Sequence, residues 1–207
     1  MPLQAVATVK QGSWPITVGA AGIAAAQFAR CGFDVMNQAG HDKPWYDLVV
    51  TKGPNLLKIG VKASEDGRWH LAESYLQRAT QSNKLDIHRA IALWVDIHGE
   101  RTVYCLVQFQ GVALNQLPRI YLATPAEIAR RMRESVERKG DAYLYEHYEY
   151  TDAGSGAREI ENLPNSWLFS HERIQEVLFP QPMKPIPMPA QRMNVTRMEL
   201  HGAAMTA

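Results

Sequence analysis

Two residues of opposite charge stand out in a mostly apolar stretch, residues 45–64. Asp47 begins a run of aliphatic and β-branched residues, and Lys62 lies near the end of a second such run. The cluster Gly53-Pro54-Asn55 between the runs is typical of a chain reversal, so we predict a β-hairpin. Because side chains alternate along a strand, Gly60 and Lys62 should share one face. A carboxylate and a lysine at one place on a sheet are what metal-dependent phosphodiester cleavage uses.

The segment 18–109 resembles the PD-(D/E)XK nuclease superfamily, whose restriction-endonuclease-like fold also occurs in Holliday junction resolvases and some intron-associated endonucleases. In that family an acid begins one strand of a hairpin; an acid or Gln, any residue and then Lys follow on the next strand. Asp47 matches the first acid and Lys62 matches the lysine, whereas Gly60 stands where the family has its second acid. The family's first helix often carries a Glu that faces the active site, and residues 20–22 of this chain offer none.

The resemblance implies a Mg²⁺-dependent DNA endonuclease or a resolvase-like enzyme. Asp47 would bind the metal, and Lys62 would contact the nucleophile or the phosphate. Because Gly60 supplies only backbone oxygen, a further acid must complete the metal site, and we select Glu65. Cutting both strands of a duplex needs two sites, so an active enzyme is expected to form a homodimer. Other acids within reach in sequence are Asp42, Asp66 and Glu73.

Two other interpretations stay open. The first is a catalytically degenerate nuclease fold that acts as a nucleic-acid-binding or protein-interaction module. The second is an unrelated α/β protein in which Asp47 and Lys62 are incidental strand residues. Cleavage, binding without cleavage, and neither activity would distinguish the three.

The hairpin needs other elements to position it, and the sequence predicts an α/β fold with a mixed central β-sheet flanked by helices. Small residues followed by Gly32 indicate a first helix. Thr124-Pro125 with Glu127 is a strong helix start, and Ser170 is a capping residue for the last helix. Residues 1–179 are predicted to form one domain. Its predicted elements are helix 17–30, strand 33–37, the hairpin, a second hairpin made of strands 91–97 and 102–107, helix 124–139 and helix 170–178.

Basic residues near these elements are candidate contacts for a nucleic-acid backbone. If residues 73–90 are helical, three of them lie near one another, and two more lie on helix 124–139. An ordinary solvated face with interleaved acids explains them equally well. The Tyr-rich alternation 143–150 has no basic residues of its own, which makes it poor evidence for base stacking. The candidate DNA contacts are Arg78, Lys84, Arg89, Arg130 and Arg131.

Composition sets the outer bounds. The chain is 46% hydrophobic and 21% charged with a net charge of +1, so no global basic field favours nucleic acid and any DNA site must be local. Cys31 and Cys105 lie in apolar runs without metal-ligand spacing, which favours free thiols in a reducing compartment. Without a long apolar run or a signal-peptide pattern, we expect a cytoplasmic protein with no membrane contact.

The last segment, residues 180–207, differs from the rest in composition. It holds five of the 12 prolines and five of the eight methionines and has no sustained periodicity. We predict a disordered tail that is a candidate contact for a neighbouring subunit or a partner protein.

Overall fold

The computed structural model describes residues 13–38, 45–76, 84–98, 101–151, 154 and 156–179. The predicted tail, the candidate acid Asp42 and the candidate DNA contact Arg78 lie outside these residues. In chain order the elements are α1 (Ser13–Arg30), β1 (Asp34–Asn37), β2 (Leu48–Lys52), β3 (Asn55–Ser64), β4 (Arg68–Trp69), α2 (Glu73–Leu76), α3 (Lys84–Asp96), β5 (Thr102–Gln108), β6 (Arg119–Ala123), α4 (Pro125–Lys139), β7 (Leu144–Tyr145), β8 (His147–Thr151), β9 (Arg158–Asn162), a 3₁₀ turn (Asn165–Trp167) and α5 (His171–Leu178).

A five-stranded mixed sheet forms the centre of the fold, in the order β1-β2-β3-β5-β6. The pair β3–β5 is parallel, and the other three pairs are antiparallel. Two-stranded pairs β4–β7 and β8–β9 lie beside this sheet. The predicted fold class, a mixed α/β sheet flanked by helices, is confirmed.

Helices cover both faces of the sheet. On one face, α1 and α5 pack on the apolar side of the central strands, with Phe28 and Ile174 fully buried. On the other face, α3 and α4 bury Ile91 and Met132 against β5 and β6. β5 therefore has apolar neighbours on both faces, which explains its continuous apolar sequence.

The predicted strand at 91–97 is wrong. Residues 91–96 belong to α3 and Ile97 lies in the turn after it; α3 connects β3 to β5 as the crossover that a parallel pair requires. The mistake has a physical cause: a short apolar run fits a buried strand and a buried helix equally well. The strand predicted at 102–107 is confirmed. It pairs with β3, whereas the predicted hairpin paired it with residues 91–97.

Local signals placed the turn of the first hairpin and the starts of α4 and α5 correctly. Gly53 adopts a φ of 60° in the turn between β2 and β3, where a glycine avoids the steric cost of a positive φ. Thr124 and Glu127 form a capping box at the start of α4. The Ser170 hydroxyl accepts a hydrogen bond from Arg173 N at 3.0 Å and caps α5. Within the described ranges, no helix combines the length and apolar character that crossing a bilayer demands.

The β8–β9 hairpin is attached to α4 through charged side chains. Glu161 of β9 accepts from Arg131 at 2.5 Å and from Arg138 at 2.6 Å. Arg131 also donates to the Asn162 carbonyl at 3.0 Å. Two arginines about two turns apart on the helix therefore hold one carboxylate of the hairpin.

Candidate functional site

Asp47 lies immediately before β2 and closes the end of its ladder with β3. Its backbone N–H donates to the Ile59 carbonyl at 2.8 Å. Its carboxylate Oδ2 accepts from Val61 N at 2.7 Å. The half-buried carboxylate thus accepts a hydrogen bond from a backbone N–H of β3 that lies beyond the end of β2 and that no β2 carbonyl reaches.

Lys62 lies on β3, two residues after Gly60. It is beyond the part of β3 that pairs with β2. Its side chain is exposed, while its backbone carbonyl accepts from the indole Nε1 of Trp69 at 3.1 Å. Asp47 and Lys62 are both in the described part of the chain, and no ion pair joins them there. The Trp69 indole therefore holds the backbone of Lys62, while its ammonium group has no carboxylate partner among the described residues.

Gly60, at the position of the family's second acid, has its side-chain space filled by a neighbour. The parallel register places it beside Tyr104 of β5. A Cβ atom at position 60 would lie 3.1 Å from Cε1 of the Tyr104 ring and 3.3 Å from the Trp45 carbonyl oxygen. A side chain at this position would therefore require the Tyr104 ring, which is only 2% exposed, to shift by a few tenths of an ångström.

The Tyr104 hydroxyl is bonded to His98, which lies between the two strands that the sequence predicted at 91–97 and 102–107. His98 Nδ1 lies 2.6 Å from the Trp94 carbonyl oxygen, and Nε2 lies 2.5 Å from the Tyr104 hydroxyl. A carbonyl can only accept, so Nδ1 carries the proton, and in the neutral ring Nε2 accepts from Tyr104. No sequence signal links His98 to Tyr104, because the contact depends on how α3 leads into β5.

Burial and charge favour the neutral forms of this pair. Burial lowers the pKa of His98, and the nearby Lys62 ammonium contributes to the same shift. Burial also raises the pKa of Tyr104, with a smaller contribution from the Asp47 carboxylate. The Lys62 ammonium and the Asp47 carboxylate thus lie close enough to influence the pKa values of this pair, and the pair itself is uncharged at neutral pH.

A groove of about 640 Å³ lies at the end of β3, which we call the β3 groove. Lys62 and Glu65, predicted as catalytic and metal-binding residues, both line it, together with Arg68 and His70. Asp47 does not line it. The structure thus brings Lys62 and Glu65 together but leaves the predicted metal-binding partner of Glu65 outside the groove.

The acids available around the groove do not form a metal site with Asp47. Glu65 is exposed in the turn after β3. Asp66 pairs with Arg68 at 2.7 Å, and Glu73 lies 3.2 Å from His70. Across the described residues, no three side chains of His, Cys, Asp or Glu converge to hold a metal ion. One carboxylate that already accepts from the backbone is a poor site for Mg²⁺.

The predicted DNA contacts divide into two kinds. Arg89 on α3 and Arg130 on α4 are exposed. Arg131 is engaged, since its side chain is only 19% exposed and pairs with Glu134 and Glu161. Lys84 begins α3, but its side chain lies outside the described part of the structure.

The Tyr-rich segment forms a continuous row of rings, which we call the aromatic ladder. Centroid distances are 6.1 Å from Tyr143 to Tyr145, 5.1 Å from Tyr145 to Tyr148 and 5.9 Å from Tyr148 to Tyr150. The sequence segment has no basic residues, yet the fold supplies them from β4 and α4. The cations that lie over the rings are Arg68 on Tyr143, Lys139 on Tyr145 and Tyr148, and Arg138 on Tyr150.

No family model matches the chain, and no curated protein matches it.

Proposed function

We propose that this chain has a nuclease-like fold and binds nucleic acid without cutting it. The observation that carries the proposal is the Tyr104 ring beside Gly60, 3.1 Å from where a Cβ atom would lie. In the PD-(D/E)XK family that the sequence resembles, this position bears a metal-binding acid. Here it has no acid, and a side chain there would begin in tight contact with Tyr104 and the Trp45 carbonyl oxygen.

Loss of this acid affects cleavage more than binding. Carboxylates in such sites hold the Mg²⁺ ions that activate water and offset charge on the phosphate. Each strong electrostatic contribution of this kind is worth roughly 3–4 kcal/mol, or orders of magnitude in rate. Phosphate contacts, in contrast, need only exposed cations and donors.

Lys62 supports retained binding. Its ammonium is exposed at an open groove and has no carboxylate partner among the described residues. Arg68 and His70 line the same groove and add donors for phosphate oxygens. The proposed ligand is therefore the sugar-phosphate backbone of a nucleic acid, with DNA as the first candidate.

A second candidate function is Mg²⁺-dependent endonuclease activity, and one observation favours it. Lys62 and Glu65 line the same groove, so an acid from the turn after β3 lies on the side where the lysine is exposed. On this interpretation Glu65 replaces the acid absent at position 60, and a homodimer would provide two sites for a duplex.

Nuclease and binding assays on the full chain separate these functions. Wild-type protein is incubated with Mg²⁺ or Mn²⁺ and plasmid or branched DNA, and products are resolved on gels. We expect binding in a gel-shift assay without cleavage. Lys62→Ala should weaken binding severalfold, while the control Lys52→Ala, outside the groove, should not.

Cleavage that Asp47→Ala, Lys62→Ala and Glu65→Ala each abolish would overturn the proposal and support the endonuclease. Absence of both binding and cleavage would overturn both functions and leave Asp47 and Lys62 as incidental strand residues. Binding that Lys62→Ala leaves unchanged would remove the β3 groove from the proposal.

We also propose a cytoplasmic location and a role for residues 180–207 in contacting a partner protein. The location is supported by Cys31 and Cys105, which are both free thiols. The role of the tail rests on its composition alone.

A further inference from the structure

We propose that the aromatic ladder extends the β3 groove into a path for single-stranded nucleic acid, with unpaired bases stacking on its tyrosines. This inference rests on the proposed function and names its ligand class. It adds a surface that the resemblance to nucleases does not include.

The groove and the ladder are continuous. His70 lines the groove, and its ring centroid lies 4.2 Å from that of Tyr143, the first ring of the ladder. Arg68, also in the groove, lies 5.5 Å above the same tyrosine. From Tyr143 the rings follow one another along β7 and β8 to Tyr150. A strand that enters the groove at Lys62 therefore meets aromatic groups in succession.

The rings combine partial exposure with fixed positions. Tyr143, Tyr145, Tyr148 and Tyr150 are each half-buried, so none is sealed in the core, and Lys139 lies over one side of the Tyr145 and Tyr148 rings. The Tyr145 hydroxyl donates to Asp141 at 2.8 Å, and the Tyr150 hydroxyl donates to Glu159. Rings already fixed by the fold lose little further freedom when a base stacks on them.

Charge along the path suits an anionic backbone at two points. Arg68 and Arg138 are offset by Asp66 and Glu161, whereas Lys62 and Lys139 have no ion-pair partner within the described segments. Burial lowers the pKa of Lys139 to about 8, although the charges of Asp141 and Glu161 act to raise it. At neutral pH the Lys139 amine is therefore mostly protonated. Among the described residues, one ammonium group without a carboxylate partner lies in the groove, and a second lies in the ladder over the Tyr145 and Tyr148 rings.

The geometry favours single strands over duplexes. In a duplex, bases stack on one another and present only their edges, so tyrosine faces gain little. In a single strand each base has a free face, and aromatic stacking tolerates any sequence. Aromatic rings interleaved with cations are the usual composition of such surfaces.

Fluorescence anisotropy with labelled oligothymidine and with a labelled duplex tests the inference. Tyr148→Leu removes a central ring, and we expect it to weaken single-strand binding by about tenfold, within the range of one stacked base. Tyr148→Phe keeps the ring and should bind like wild type. Phe179→Leu, which removes a 51% exposed ring that follows α5 and is not part of the ladder, is the matched control. Thermal melting of each variant checks that it is folded.

The outcomes separate the two proposals. Tyr148→Leu should lower affinity for the single strand only, while Lys62→Ala should lower affinity for both ligands. If Tyr148→Leu is folded and binds oligothymidine like wild type, or if only the duplex binds, the path is wrong and the groove proposal survives. If neither ligand binds, the proposed function fails together with the path.

Discussion

The contact between Gly60 and Tyr104 can be measured as a free energy by substituting Gly60→Ala. The new Cβ would lie 3.1 and 3.4 Å from two Tyr104 ring carbons and 3.3 Å from the Trp45 carbonyl oxygen. Tyr104 cannot withdraw easily, because it bonds to His98 and its ring lies 5.4 Å from the Trp94 ring. Overpacking of this kind costs about 1–3 kcal/mol. Alanine recovers roughly 0.4–1 kcal/mol by restricting the unfolded chain.

We therefore expect Gly60→Ala to lower the free energy of unfolding by about 1–2 kcal/mol. Urea denaturation of the variant and of wild type measures this difference. Gly22→Ala is the matched control, since a Cβ there meets nothing within 4 Å on the exposed side of α1. In a helix interior that change should stabilise the protein by roughly 0.5–1 kcal/mol.

A double-mutant cycle identifies the neighbour responsible. Tyr104→Val shortens the opposing side chain, so Gly60→Ala should cost about 1 kcal/mol less in that background than in wild type. Two results would refute the reasoning. The first is that Gly60→Ala leaves the free energy of unfolding of the wild-type protein unchanged or raises it. The second is that Gly60→Ala lowers the free energy of unfolding equally with tyrosine and with valine at position 104. Either would mean that the tyrosine ring does not fill the side-chain space at position 60.

Two further predictions concern stability. The pKa of His98 is lowered in the folded protein, so the unfolded chain binds more protons below about pH 6.5 and stability should fall as the pH decreases from there. Thermal melts at stepped pH should show this loss, and His98→Gln should reduce it; an unchanged pH profile would contradict the assignment. Arg173, which is 7% exposed, donates to the Leu122 carbonyl and pairs with Glu127. Arg173→Ala should cost about 2–4 kcal/mol in urea denaturation, whereas exposed Arg130→Ala should stay within roughly 0.5 kcal/mol, and equal effects would be inconsistent with the buried pair.

Local chemistry explains what the sequence could predict of the fold. The turn at Gly53 and the caps at Thr124 and Ser170 depend on residues within four positions of each other, and each prediction is confirmed. Residues 91–96 carry no cap or breaker of their own, and only their place in the crossover between β3 and β5 makes them helical. Helix or strand was therefore decided by tertiary structure there.

The same limit applies to the candidate site. Asp47 and Lys62 could be selected from hairpin spacing, and in the structure Asp47 lies just before β2 with its carboxylate bonded to Val61 N, the residue before Lys62 on β3. Tyr104 could not, because it reaches Gly60 through a parallel register that no local pattern encodes. His98 is likewise recognisable only once its two ring nitrogens have been assigned partners.

The Gly60–Tyr104 contact also bears on how this sequence can change over evolutionary time. Introducing an acid at position 60 while the tyrosine stays would strain the sheet, and losing the tyrosine first would open a cavity and leave the His98 Nε2 atom without its donor. Each single substitution is unfavourable by itself, so a lineage carrying this pair has no easy stepwise route to an acid at position 60. Glycine and tyrosine at these two positions are expected to persist or to be replaced together.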